Sequence, residues 1–240
     1  QAGASGSKRS TNQVENLQWK VKVNKFAFSQ KIRKKLKMSS AVVLDLDATL
    51  VNTFGEADTW HEVNGECRAE ECKRLFALKS ETGFMWGTKR PNLSKFLNSC
   101  FRNFDVVAVW SAGTYVYVHE VVEVIFGSRQ PAFVWTKEDC IPCFAEEAGV
   151  YVNSKPLTKL WMKYPNLDPK KTLLFDDSPD VCEQDPLNHK LVPPWDGTWD
   201  SLSKPDSVLD TLADWMDTLK TTSNYTLHPM PDLTLGFGEN

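Results

Sequence analysis

The sequence predicts an α/β fold, a parallel sheet covered by helices, with a small insert after its first strand. Three observations carry this. Short apolar runs rich in β-branched residues recur, as strands buried on both faces require. Helical periodicities lie between the runs, and strand–helix alternation is the pattern of a sheet with covering helices. One polar, mixed stretch, residues 52–88, breaks the alternation and is too long for an ordinary connection.

In chain order, Ala41-Val42-Val43-Leu44-Asp45-Leu46 is the first strand, and the insert 52–88 follows and is expected to cover the site. Pro91 suits a first helical turn, and Leu93, Phe96, Leu97 and Phe101 then share one helical face. Further strands are expected at 105–110, 132–135 and 172–175. Val118, Val122, Ile125 and Phe126 line a second helix that ends at Gly127, a C-cap. Leu209, Leu212, Met216 and Leu219 mark a final helix. From Ser223 onward Pro, Gly and Thr dominate without periodicity, so the domain is set at 38–222 and 223–240 is expected to be a loosely ordered tail.

At 240 residues, 41% hydrophobic and 25% charged, the composition is that of a soluble globular chain. No apolar run approaches the roughly 18 to 20 residues of a membrane span, so no membrane partner is expected. The Gly/Ala/Ser-rich start 1–7 has no apolar signal region and resembles a cloning remnant. Six cysteines form no dense framework, so reduced thiols and an intracellular setting, nuclear or cytoplasmic, are expected. Cys140-Ile-Pro-Cys143 with Cys67 and Cys72 is too loosely spaced to favour zinc over free, half-buried cysteines.

Charge is unevenly spread. Residues 1–37 hold ten Lys/Arg against Glu15 alone, a net of +9, which leaves −12 for 38–240. The arm is densest at 31–37, and its segment 20–37 suits nucleic acid, an acidic protein or a nuclear address; a plain solvated segment fits equally well. Leu17, Trp19, Val21 and Val23 alternate with polar residues, as an edge strand would.

Ligands of open α/β sheets bind at the carboxyl ends of strands. There the sequence places Asp45-Leu46-Asp47-Ala48-Thr49, Ser111-Ala112-Gly113-Thr114 and Asp176-Asp177-Ser178, with Lys155 shortly before the last strand. Four carboxylates around one pocket repel unless a cation neutralises them, and beside phosphate the usual hard cation is Mg²⁺. One carboxylate can then attack phosphorus and a second, two residues on, can protonate the leaving oxygen and later activate water. Ser111 would hold phosphoryl oxygens and Lys155 would offset their charge. Taken singly each motif is a turn, a loop serine or a surface lysine; only the ordered set points to catalysis.

Asp45-Leu46-Asp47-Ala48-Thr49-Leu50 resembles the Asp-x-Asp-x-Thr signature of haloacid dehalogenase superfamily phosphatases. From about 41 to 219 the chain resembles the phosphatases of the RNA polymerase II C-terminal domain, including the small CTD phosphatases. Arg90-Pro91, Trp110 to Tyr115, Lys155-Pro156-Leu157, Leu174 to Pro179 and Pro194-Trp195-Asp196 each resemble a motif of that family. The resemblance implies a Rossmann-like core, Asp45 as nucleophile and Asp47 as general acid/base. It further implies Ser111, Lys155 and Thr49 as phosphate binders. Mg²⁺ would be held by Asp45, the Asp47 backbone carbonyl and Asp177, with Asp176 near. Ala48 departs from the acidic residue usual there, Asn153-Ser154 alters the approach to Lys155, and the insert matches poorly.

The expected function is a Mg²⁺-dependent phosphomonoesterase acting through an aspartyl-phosphate on a phosphorylated protein or peptide. Alternatives are a phosphatase of nucleic-acid ends or small phosphometabolites, favoured by the basic arm, and a non-catalytic binding module. Against the last, no nucleophile, second aspartate or metal residue is missing. Trp60, Phe76, Phe84 and Trp86 in the insert read as a small local core rather than a substrate pocket.

Overall fold

The computed structural model describes residues 38–55, 69–80, 83–145 and 149–234. The basic arm 1–37, with its alternating segment 17–23, lies outside them, as do Trp60 and Cys67.

A five-stranded parallel sheet forms the centre: β1 (Ser39–Leu44), β5 (Val106–Trp110), β6 (Val134–Trp135), β9 (Leu167–Asp176) and β10 (His189–Leu191), in the order β10-β9-β1-β5-β6. The residues of β1 show why an unbroken apolar run belongs here. Val42 and Leu44 pack into one core with helices α2 (Leu93–Asn103), α3 (Tyr115–Phe126) and α6 (Val208–Thr218). Ala41 and Val43, pointing the other way, pack against Leu157 and Leu160 of α4 (Leu157–Lys163). Alternate residues thus meet different cores, and neither face can be polar. Among the described residues no helix is long and apolar enough to cross a membrane.

The insert is a three-stranded antiparallel sheet, β2 (Val51–Phe54), β4 (Gly83–Lys89) and β3 (Leu75–Ser80), with a short helix α1 (Ala69–Cys72). Trp86 is buried and Phe54 stacks on it at 4.5 Å, whereas Phe76 is buried in the same core as Val42 and Leu44 and not in a separate local one. A hairpin of β7 (Ile141–Ala145) and β8 (Val150–Ser154) leads into Lys155, and a short helix α5 (Trp199–Ser203) precedes α6.

Two further expectations differ from the structure. Cys72 is disulfide-bonded, whereas Cys100, Cys140, Cys143 and Cys182 carry free thiols, so reduced cysteines hold for those four and not for Cys72. Residues 223–234, read as a loose tail, are anchored: Tyr225 packs edge-on against Phe104 at 5.7 Å, and the Trp215 indole donates to Pro229 O at 2.7 Å. Isolated anchors of this kind leave no periodicity to read.

Candidate active site

Three neighbouring strands deliver the site. Leu44 is level with Phe175 in β9 and with Val109 in β5, so the next residues, Asp45 and Asp176, stand side by side, and Ser111 comes directly after the end of β5 at Trp110. The Asp45 N–H donates to Phe175 O at 3.0 Å, which continues the pairing one residue past β1. Lys155 arrives from β8, its N–H donating to Val181 O at 2.6 Å.

The Lys155 ammonium donates to Asp45 Oδ1 at 2.5 Å and to Asp176 Oδ2 at 2.6 Å. All three side chains are buried. Burial pushes the Asp45 carboxyl well above the usual range; Lys155 pulls it down and Asp176 pushes it up again. Burial also works against the Lys155 ammonium, but Asp45 and Asp176 outweigh it and hold the lysine above its ordinary value. Burial raises Asp177 too, with Asp176 adding to it.

Asp45, Asp176 and Asp177 each offer a carboxylate oxygen, and these lie within 4.8 Å of one another. An all-oxygen donor set at that spacing fits a hard divalent cation such as Mg²⁺. The Asp47 carboxylate is not in that group. It accepts a hydrogen bond from the phenol of Tyr117, whose oxygen lies 3.0 Å from Thr53 Oγ1. Burial raises Asp47, and the Tyr117 bond partly offsets this.

The loop that separates the two aspartates is tight. Leu50 and Val51 N–H both donate to Leu46 O, at 2.8 and 3.0 Å, and Ala48 takes a left-handed φ of 57° to close the turn. Trp195 N–H clamps Ala48 O at 2.8 Å. Thr49, expected among the phosphate binders, is fully buried and donates to Asp177 Oδ1 at 3.1 Å. Ser111 Oγ accepts from Gly113 N–H at 3.0 Å.

Residues 40–226 match the family described as NLI interacting factor-like phosphatase. The chain belongs to that family. The "Ubiquitin-like domain-containing CTD phosphatase 1" of Danio rerio is 28% identical over 141 residues, or 57% of this chain, and that of Drosophila melanogaster 29% over 140. Only 36% and 35% of those two proteins' lengths are covered. A CTD phosphatase-like protein of Invertebrate iridescent virus 6 is 27% identical over 163 residues, 64% of this chain and 85% of its own. Two structures of the RNA polymerase II CTD phosphatase Fcp1 share the fold. One has TM-score 0.50 at 19% identity, covering 69% of this chain and 45% of Fcp1. The other, from fission yeast with beryllium fluoride bound, has TM-score 0.51 at 18% identity, covering 79% and 52%. The α/β fold and the family read from the motifs therefore stand.

In this family member two residues beside the aspartate cluster escaped the sequence reading as site residues. Tyr117 sits in an apolar helical stretch, where only its hydroxyl marks it. Gly113 makes room for it: a Cβ there would come within 2.7 Å of the Tyr117 ring. Arg90, read only as a helix start, is buried and donates to Asp206 Oδ2 at 2.9 Å, Pro193 O at 2.8 Å and Thr49 O at 3.2 Å. It ties the loop of Asp45 to Thr49 to the C-terminal segment.

Proposed function

We propose that this chain is a Mg²⁺-dependent phosphatase of phosphoserine and phosphothreonine in proteins, working through an aspartyl-phosphate on Asp45. The observation that carries the reading is the buried Asp45–Lys155–Asp176 group at the carboxyl ends of adjacent strands. Family membership and the names of the relatives, CTD phosphatases, support the substrate class. The catalytic unit is assigned to 38–222 together with the anchored segment 223–234, with the insert 52–88, and the same relatives support an intracellular setting.

Asp45, the Asp47 backbone carbonyl, Asp176 and Asp177 would hold Mg²⁺, with Thr49 fixing Asp177 through its hydroxyl. When bound, the ion would neutralise charge on the carboxylates and the phosphoryl group. An Asp45 oxygen attacks phosphorus while the bond to the substrate oxygen breaks. Asp47, whose carboxyl burial keeps more readily protonated, hands its proton to that oxygen. In the second step Asp47 takes a proton from water, whose oxygen displaces Asp45 and releases inorganic phosphate. Lys155 supplies positive charge beside Asp45, and Ser111 binds a phosphoryl oxygen.

The test is hydrolysis of an aryl phosphate and of a phosphoserine peptide with Mg²⁺, with EDTA, and in Asp45→Asn. Turnover requiring both metal and Asp45 is expected. Turnover that persists in Asp45→Asn would remove Asp45 as nucleophile.

A further inference from the structure

A cavity of about 850 Å³ opens where the insert meets the start of α2 and the Lys204–Ser207 turn, and none of the four aspartates lines it. Its wall carries five cations, Lys73, Arg74, Lys89, Arg90 and Lys204, against two carboxylates, Glu70 and Asp206. A wall with that excess attracts an anion.

The cations are incompletely satisfied. Arg90 is 1% exposed, and its Nη2 is buried without a hydrogen-bond partner. Arg74 spends Nη2 on Leu202 O at 2.5 Å and leaves Nη1 buried without one. Neither Arg74 nor Lys89 has a carboxylate of the described residues within ion-pair distance. Burial accordingly holds both below their ordinary values, for Arg74 against the pull of Glu71 and Asp206. Lys73 and Lys204 pair with Glu70 and Asp200 at 2.6 Å in exposed contacts that cost little to exchange.

The start of α2 faces the same space. Asn92, Leu93 and Ser94 line the cavity, and this eleven-residue helix begins without a side-chain cap. Its first N–H groups and its dipole favour an anion. At α6 the corresponding place is taken, since Asp206 Oδ1 accepts from Val208 N–H at 2.9 Å. Two guanidinium groups with spare donors match the several oxygens of a tetrahedral anion better than a lone carboxylate.

We propose that this cavity is a second anion site that takes a phosphoryl group, apart from the aspartate cluster. The volume exceeds a free phosphate ion, so the group can arrive attached to a larger molecule. The site does not depend on the chemistry assigned to Asp45.

The test is titration of inorganic phosphate into the ¹⁵N-labelled full chain, read at the backbone amides of Ser94 and Lys95 and, separately, at Ser111 and Gly113. Saturable shifts at Ser94 and Lys95 are expected, weakened about two- to fivefold by Lys89→Gln and by Lys73→Gln. The Lys73 side chain is 69% exposed, so its replacement leaves the fold intact. Phenylphosphonate, which resists hydrolysis, separates the sources: tighter binding than phosphate identifies a carried phosphoryl group, equal binding the free ion. Unmoved amides at Ser94 and Lys95, or shifts that neither substitution weakens, overturn the proposal.

Discussion

The phenol of Tyr117 donates a hydrogen bond to Oδ1 of Asp47, tying the helix that follows Ser111 to the second aspartate of the loop after β1. The bond stabilises the carboxylate and so opposes the upward push of burial. If Asp47 delivers the proton, activity falls as pH rises through its pKa. Removing the donor raises that pKa, so Tyr117→Phe should move the alkaline limb of kcat to higher pH while lowering the maximal rate about tenfold. A pH–rate profile checks this; an unmoved limb separates Tyr117 from Asp47.

Gly113→Ala should reproduce part of the same defect. The added Cβ would lie 2.7 Å from the Tyr117 ring, which must shift away. The expected outcome is a lower kcat with little change in melting temperature, and Gly113→Ala combined with Tyr117→Phe should be no worse than Tyr117→Phe alone.

Arg90→Met should destabilise strongly. It leaves the Asp206 carboxylate, 3% exposed, without its cation and the carbonyls of Thr49 and Pro193 without their donor. Breaking a buried pair from one side costs about 3–5 kcal/mol, measurable by urea unfolding. Arg90→Lys should recover only part of this, because one ammonium cannot reach in the fork's directions.

Asp217 gives an acid-dependent term. Bonds from Arg102 and Asn103 lower its carboxyl to about 2. A folded value below the unfolded one, near ~3.9, means this stabilisation is present above the unfolded value and is lost as pH falls through the folded one. The side chain is 39% exposed, so screening keeps the effect within ~1 kcal/mol. Asp217→Asn should melt slightly below the wild type at neutral pH, and the two melting curves should converge toward about pH 2.

Much of this arrangement was legible beforehand because strand ends announce themselves. The run 41–46 became β1 with Asp45 at its end, and Leu93, Phe96 and Leu97 became the buried face of α2. Short strands were harder. His189–Leu191 and the hairpin at 141–154 are too brief, and the hairpin too exposed, to show a hydrophobic pattern. The roles of Tyr117 and Arg90 were hidden for another reason: their partners lie 70 and 116 residues away.

By itself the sequence determined the alternating apolar runs, the order of the motifs and the residue types that could share a phosphate and a cation. Those are local properties, carried by periodicity and by the chemistry of single side chains. Only the tertiary structure decided that Lys155 lies between Asp45 and Asp176, that Thr49 supports Asp177, and that Arg90 joins the loop after β1 to Asp206. The reason is geometric. Strand order and register choose which ends become neighbours, and a buried charge takes its partner from whatever the packing brings within a few ångströms.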